Sequence, residues 1–353
     1  MTEHAIRFGI IGTGVAGGFH ARAIDRTPDA RLVAVCAARP ELAAGMAAQY
    51  HAEVVPDLAA LLARDDIDAV SICTPSGQHA EQGIAAARAG KHVLVEKPLA
   101  LTLADADALI AACRDAGVQL GVALQRRTDP NFRAAHNAIA AGALGRMVLG
   151  AITVPYLRPQ SYYDSAAWRG TWALDGGGAL MNQGVHLVDL LLWLMSDEVV
   201  EVQARADTLA HTIEVEDVVT AALRFASGAL GTIAATTATA PGFPHRVEVY
   251  GTQGGMQIEG EAVVRWETAH MPAEGAQAGP QVTTSGSGQQ DAGPGADPRN
   301  IHMSGHTRII EDFAAAIRAG RAPLVTGEDA RRALAVVLAV YESARTGRPV
   351  RPG

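Results

Sequence analysis

This chain lacks most of the features that would narrow it to a specialised class. It has three cysteines, Cys36, Cys73 and Cys113, and their spacing forms neither a metal-binding nor a redox pair. Cysteine metal centres and dithiol redox chemistry are therefore excluded. Cys36 and Cys73, set in apolar runs, read as core thiols. The chain also lacks a basic excess: 29 Lys and Arg against 37 Asp and Glu leave a net charge of −8. A nucleic acid would find nothing to neutralise its phosphates, whereas a small anion needs only one local site. Long apolar runs are missing too. The longest, near Leu187–Met195, contains Asp189 and is too short to span a bilayer. No signal-peptide pattern precedes the first strand-like segment, and no internal repeat is apparent. These absences predict a reduced, soluble, cytoplasmic protein.

What is present is apolar bulk. Hydrophobic residues make up 48% of 353 positions, enough for two domains with large cores. In the first third, short β-branched runs at Ala5–Ile11, Leu32–Cys36, Ala69–Cys73, His92–Val95 and Gln119–Ala123 alternate with alanine-rich helical stretches. That rhythm predicts right-handed βαβ units and a parallel sheet. After about Leu124 the pattern changes. Longer strand-like segments follow at Met147–Val154, Val199–Ala206, Asp217–Phe225, Ala229–Thr236 and His245–Gly251, with a helical insert at Gly178–Met195. Short turns such as Ser227-Gly228 between them suit a large, mostly antiparallel open sheet. Residues Ala273–Pro298, rich in Gly, Pro, Gln and Ser, read as a mobile loop. Helices near Thr307–Ala319 and Glu328–Thr346 close the chain. The expected domains are 1–124 and 125–353, the second an α+β domain for substrate binding and oligomerisation.

The first strand runs into Gly12-Thr13-Gly14-Val15-Ala16-Gly17, a G-x-G-x-x-G turn that opens a helix. Gly12 permits the tight turn, Gly14 lets a pyrophosphate approach the backbone, and Gly17 allows close helix–strand packing. The helix N-terminus offers its N–H groups to the phosphates. This context makes the first domain a dinucleotide-binding Rossmann domain of α/β class. The end of the second strand selects the cofactor. An acidic residue there would grip the 2′-hydroxyl of NAD, but the chain has Ala37, Ala38 and Arg39. Arg39 is placed to pair with a 2′-phosphate, so NADP is favoured and NAD stays open.

Parallel sheets place ligands beyond the C-terminal ends of their strands. Two segments occupy that rim: Cys73-Thr74-Pro75-Ser76-Gly77-Gln78-His79 and Glu96-Lys97-Pro98. A charged pair at the end of a buried strand is costly unless something needs it. The fingerprint, T-P-S-x-x-H and E-K-P together resemble the glucose–fructose oxidoreductase/inositol dehydrogenase (Gfo/Idh/MocA) family. The family's second signature, G-G-G-x-x-x-D-x-G-x-H-x-x-D, is similar to Gly176–Asp189, and the C-terminal stretch from His306 to Val350 is also family-like. The resemblance implies a nicotinamide-dependent oxidoreductase acting on sugars or cyclic polyols. It implies that Lys97 and His186 are catalytic and that Thr74, Pro75, His79 and Glu96 line the cofactor. One position departs: Asn182 stands where many members carry Asp. Nucleotide-sugar dehydrogenases of the family resemble the chain there, which makes a UDP-sugar uronate the alternative substrate. A non-catalytic dinucleotide-sensing regulator is the alternative of another class.

Oxidising a secondary alcohol requires loss of a hydride from carbon and a proton from oxygen. His186 has the right intrinsic range for the base, and Lys97 can stabilise developing alkoxide charge or itself act as base. Asn182 suits a substrate hydroxyl. Tyr163, Trp168 and Arg169, just before the triple glycine, are candidates for stacking on a sugar and binding an anionic substituent. Arg126, past the last strand of the first domain, is a further substrate candidate. No metal is predicted: Asn182-x-x-x-His186 is a poor ligand pair with no third member. The small residues of Gly228–Thr239 suggest a flat sheet face that pairs into a homodimer or homotetramer.

Overall fold

The computed structural model describes residues 5–269, 279–283 and 303–353. Most of the predicted loop at Ala273–Pro298 lies outside the described residues. The chain divides into two compact units, Met1–Thr128 with His302–Arg331, and Asp129–Ile301 with Arg332–Gly353.

The first unit is built on six strands: β1 Ile6–Ile11, β2 Ala30–Cys36, β3 Glu53–Val55, β4 Ala69–Ile72, β5 His92–Val95 and β6 Leu120–Val122. They form one parallel sheet in the order β3-β2-β1-β4-β5-β6. Helices cover both faces, so the central strands are buried on both sides and read as continuous apolar runs. Phe8, Ile10, Val70 and Ile72 are all fully buried. The order reverses between β1 and β4, the crevice where such sheets bind ligands.

His302–Arg331 belongs to this unit by its contacts. In the helix Met303–Ala319, Phe313 packs on Phe8 with ring centroids 6.4 Å apart. Downstream, the Val122 N–H donates to the Val325 carbonyl at 3.2 Å, extending the sheet edge. A buried Arg127–Asp329 ion pair at 3.0 Å fixes the same segment.

The second unit carries seven strands: β7 Met147–Pro155, β8 Val199–Asp207, β9 Val218–Phe225, β10 Leu230–Thr236, β11 Arg246–Gly251, β12 Gly254–Glu259 and β13 Ala262–Thr268. Their order is β13-β12-β11-β7-β10-β9-β8, antiparallel throughout except for the β7–β10 pair. Burial alternates along β9, with Val219, Ala221, Leu223 and Phe225 inward and Thr220, Ala222 and Arg224 outward. The inward face is covered in part by the helix Val185–Met195, which is apolar nearly all round. Among the described residues, no helix is long and apolar enough to cross a membrane.

Candidate active site

In the first unit, the glycine turn shows why each glycine is there. Gly12 has φ +98°, and a Cβ on it would meet the Cys73 carbonyl oxygen at 2.7 Å. A Cβ on Gly17 would lie 2.2 Å from the Gly12 carbonyl oxygen. Both are required by the chain's own packing. Gly14 is different: a Cβ there meets nothing within 4 Å. Gly14 is also the N-cap of the helix Val15–Arg26 and supplies no side-chain cap. The helices starting at Leu58, Leu103 and Pro130 are capped by Asp57, Thr102 and Asp129. An open, uncapped helix N-terminus of this kind can receive a pyrophosphate; the helices at Pro40 and His79 also lack a side-chain cap, and what sets this one apart is the glycine turn that leads into it. At the end of β2, Ala37 is half-buried and Arg39 exposed.

The two rim segments are tied to each other by His79. Its Nδ1 lies 2.7 Å from the Pro98 carbonyl oxygen and its Nε2 2.9 Å from that of Thr74. The Thr74 hydroxyl donates to Gln82 at 2.7 Å, and Pro75 precedes the short 3-10 turn Ser76–Gln78.

Glu96 is buried and faces inward. Its Oε1 is 2.9 Å from Nε2 of His20, on the helix that follows the glycine turn, and its Oε2 accepts from the Lys97 N–H at 3.1 Å. The other nitrogen of His20 lies 2.6 Å from the Ser71 hydroxyl. Burial opposes charge on both partners. For His20, Cys73 and Glu96 outweigh it and raise the imidazole pKa; for Glu96, His20 outweighs it and holds the carboxyl well below its ordinary range. The pair is therefore an imidazolium–carboxylate pair that links the helix after the glycine turn to the Lys97 loop. His306 stands on the other side of this pair. It is buried in the helix Met303–Ala319, stacked on Phe19 at 5.1 Å, and its pKa is lowered to about 4 by burial. His20, Glu96 and His306 bring ligand atoms within 4.8 Å of one another. The ion pair already balances the charge there, and a cation would have to displace its hydrogen bond.

In the second unit, the triple glycine is a close-approach device. A Cβ on Gly177 would lie 2.2 Å from the Tyr341 hydroxyl, and one on Gly178 would lie 1.9 Å from the Glu216 carbonyl oxygen. The Glu216 carboxylate accepts from the N–H groups of Gly178 at 2.9 Å and Leu180 at 2.8 Å, and from the Tyr341 hydroxyl at 2.9 Å. Burial raises the Glu216 pKa in spite of these donors. This clamp shapes the π-helical turn Ala179–Gly184 that carries Asn182, and the α-helix Val185–Met195 that carries His186 continues directly from it.

Around Asn182 lies a polar cluster. Its amide nitrogen donates to Asp175 and its carbonyl oxygen accepts from Gln183 at 3.0 Å. Gln183 in turn accepts from Arg158 at 2.8 Å. Arg169 stacks on Trp168 and Tyr162, 4.5 and 4.2 Å from the ring centroids, and donates to the Tyr162 hydroxyl. Tyr163 is buried beneath this cluster, its ring edge-on to Tyr162 with centroids 5.2 Å apart and its hydroxyl 2.8 Å from that of Thr237. The structure thus groups Trp168, Arg169 and Asn182 with Tyr162. Lys97 and Arg126 lie in the first unit and His186 in the second.

Known proteins resemble this chain over most of its length. Residues 6–124 match the oxidoreductase family with an NAD-binding Rossmann fold, and residues 132–257 match the GFO/IDH/MocA C-terminal domain. The chain is 31% identical to inositol 2-dehydrogenase of Rhizobium meliloti, over 98% of each chain.

The chain belongs to the Gfo/Idh/MocA oxidoreductase family.

It is also 32% identical to 1,5-anhydro-D-fructose reductase of Ensifer adhaerens, over 97% of each chain. Among solved structures, the WlbA dehydrogenase from Bordetella pertussis, in complex with NADH and UDP-GlcNAcA, superimposes with a TM-score of 0.87 at 33% identity, over 99% of each chain. As a Gfo/Idh/MocA protein, the chain is an NAD(P)-dependent oxidoreductase acting on CH–OH groups of sugars, cyclic polyols or their derivatives. Sequence reasoning missed His20, Asp175, Gln183, Arg158, Glu216 and Tyr341. Asp175 alone carried a local signal: it immediately precedes the triple glycine of the family signature, whose usual acid is absent at 182. Gln183 lies within the signature beside Asn182, and the others come from segments remote in sequence.

Proposed function

We propose that residues 1–124 bind NADP(H) in preference to NAD(H), and that residues 125–353 bind a sugar-like substrate. The open, uncapped turn at Gly14 carries the dinucleotide reading. Gly12 through Gly17 hold the pyrophosphate, and Thr74, Pro75, His79 and Glu96 line the remainder. The NADP preference rests on Arg39, which is exposed and has no ion-pair partner among the described residues. No carboxylate occupies 37–39 to repel a 2′-phosphate. Titration of NADPH and NADH by fluorescence quenching tests this. Tighter NADPH binding that reverses in Arg39→Asp is expected, and equal affinity in the wild-type chain refutes the preference.

When bound, the nicotinamide takes or returns the hydride. In the first unit Lys97 is the hydrogen-bond donor for an alcohol oxygen, and in the second His186 is the base for an alcohol proton. Arg126, Tyr163, Trp168, Arg169 and Asn182 serve the substrate, Tyr163 through the wall it builds beneath Tyr162. Turnover of inositols, hexoses and UDP-sugars followed at 340 nm tests the assignment, with Lys97→Ala and His186→Ala each losing at least about a hundredfold in kcat. The UDP-uronate reading is favoured by one observation: two guanidiniums, Arg158 and Arg169, lie over the faces of Tyr162 at 5.7 and 4.2 Å. Arg158 is itself buried, and Arg169 is the guanidinium this stack holds in place near Asn182.

The outward face of the second sheet sets Ala151, Thr232 and Ala222 in one cross-strand row, with Leu149 and Leu230 in the next. Leu149 and Leu230 are 40% and 52% exposed. A second copy of this chain covers that face, giving a homodimer or homotetramer; sedimentation as a monomer refutes it. The three thiols are free and buried, which supports a cytoplasmic location.

A further inference from the structure

The family signature calls for a carboxylate at 182, one turn before the histidine, and this chain has an amide there. An amide cannot carry the charge that supports a histidine base. Yet a carboxylate is in contact with Asn182. Asp175, 1% exposed, accepts from the Asn182 amide nitrogen through Oδ1 and from the Gly170 N–H through Oδ2 at 2.9 Å. The amide cannot turn over. A flipped Asn182 would set its carbonyl oxygen against the Asp175 carboxylate and its NH2 against the NH2 of Gln183, which is itself held by Arg158. Asp175 thus dictates which way Asn182 points. Asn182 lies four residues before His186, where the π-helical turn Ala179–Gly184 runs directly into the α-helix Val185–Met195.

We infer that Asp175 is the carboxylate that serves His186 in this chain, displaced by seven residues from its expected place, and that Asn182 couples the two. Asp175 is a positioning residue in this arrangement: it acts through Asn182. The inference rests on the reading of His186 as the site base. The titratable groups that feel the Asp175 charge are Tyr162, Tyr163 and Tyr341, and beside these tyrosines stand Arg158, Arg169 and Glu216. On its own helix His186 has the buried Asp189.

The test is a charge swap read in two ways. The first readout needs no ligand. In Asn182→Asp two carboxylates meet in a buried site, and one of them must hold a proton to stay folded. Its folded pKa rises above the unfolded value, so stability is lost as pH rises through the raised value. Thermal melts of the ligand-free full chain should show N182D several degrees below wild type at pH 8, with the deficit closing towards pH 5. The swap D175N/N182D should melt near wild type at both. An N182D chain that melts like wild type at every pH overturns the inference, and so does a swap no more stable than N182D.

The second readout is the pH profile of kcat/KM. Removing the carboxylate in D175N lowers the affinity of His186 for its proton, so the acid limb moves to lower pH by at least half a unit, and the swap returns it. A purely structural Asp175 would lower kcat/KM without moving the limb, which overturns the inference while the functional reading stands. Absence of turnover by the wild-type chain with NAD(P)H bound overturns the functional reading itself, and the role of Asp175 with it.

Discussion

His20→Ala is the sharpest test of the ion pair beneath the Lys97 loop. The His20 and Glu96 side chains are 1% and 10% exposed and meet at 2.9 Å. Truncating His20 leaves the Glu96 carboxylate buried with a backbone N–H and, 3.9 Å away, the His306 imidazole, whose pKa is lowered to about 4. Breaking a buried pair in this way costs about 3–5 kcal/mol, against about 0–1 for an exposed pair. For a unit of this size that is roughly 6–20 °C in melting temperature. The pH dependence has a definite sign. His20 is raised above its ordinary 6.5 in the folded state, so its contribution is full below 6.5 and fades as pH rises through the raised value. Glu96 is lowered from its ordinary 4.5, so its contribution is full above 4.5 and fades as pH falls. The pair therefore stabilises most between pH 4.5 and 6.5. In His20→Ala the carboxyl prefers to be neutral, so the variant loses further stability as pH rises, and Glu96→Gln in the same chain recovers most of the loss. The assay is a thermal melt from pH 5 to 9, with removal of the exposed Arg345–Glu342 pair as a control that leaves the melt unchanged. A His20→Ala melt within 2 °C of wild type at pH 8, smaller than about 1 kcal/mol allows, would refute the ion pair, as would a double variant no more stable than the single one.

The glycines make a paired prediction. Gly14→Ala keeps the wild-type melting temperature, because its Cβ meets nothing within 4 Å, but weakens NAD(P)H binding; Gly17→Ala lowers the melt, because its Cβ would lie 2.2 Å from the Gly12 carbonyl oxygen. Equal melts in circular dichroism would contradict this division. Tyr341→Phe removes a donor to Glu216 and an acceptor for the Met181 N–H. It should cost about 1–3 kcal/mol in chemical denaturation and lower kcat, and an unchanged kcat would separate the Glu216 clamp from the chemistry.

How much of this was readable in the sequence depends on how local the cause is. β1 with its glycine turn was legible because strand period, Gly12 and the following helix are encoded within 21 residues, Ile6–Arg26. The same holds for the alternating strands from β7 to β11. The hairpin of β12 and β13 was not, because Gly254 and Gly255 open β12 and weaken its strand signal. The site was legible as a pair of motifs and opaque as a network. Nothing near Glu96 in the sequence names His20, 76 residues earlier, as its partner, and nothing near Gly178 names Glu216, 38 residues on.

By itself the sequence determined what short-range physics encodes: five of the six strands of the parallel sheet, the three-residue edge strand β3 being too short to carry a pattern, the tight turn that only glycine allows, and the departure at Asn182. Tertiary structure alone decided which remote groups neutralise each buried charge. It placed His302–Arg331 in the first unit, turned Glu96 inward to His20, and put Asp175 against Asn182. A buried charge must be matched by whichever partner the fold brings near. That choice depends on packing between segments distant in the chain, which no local pattern carries.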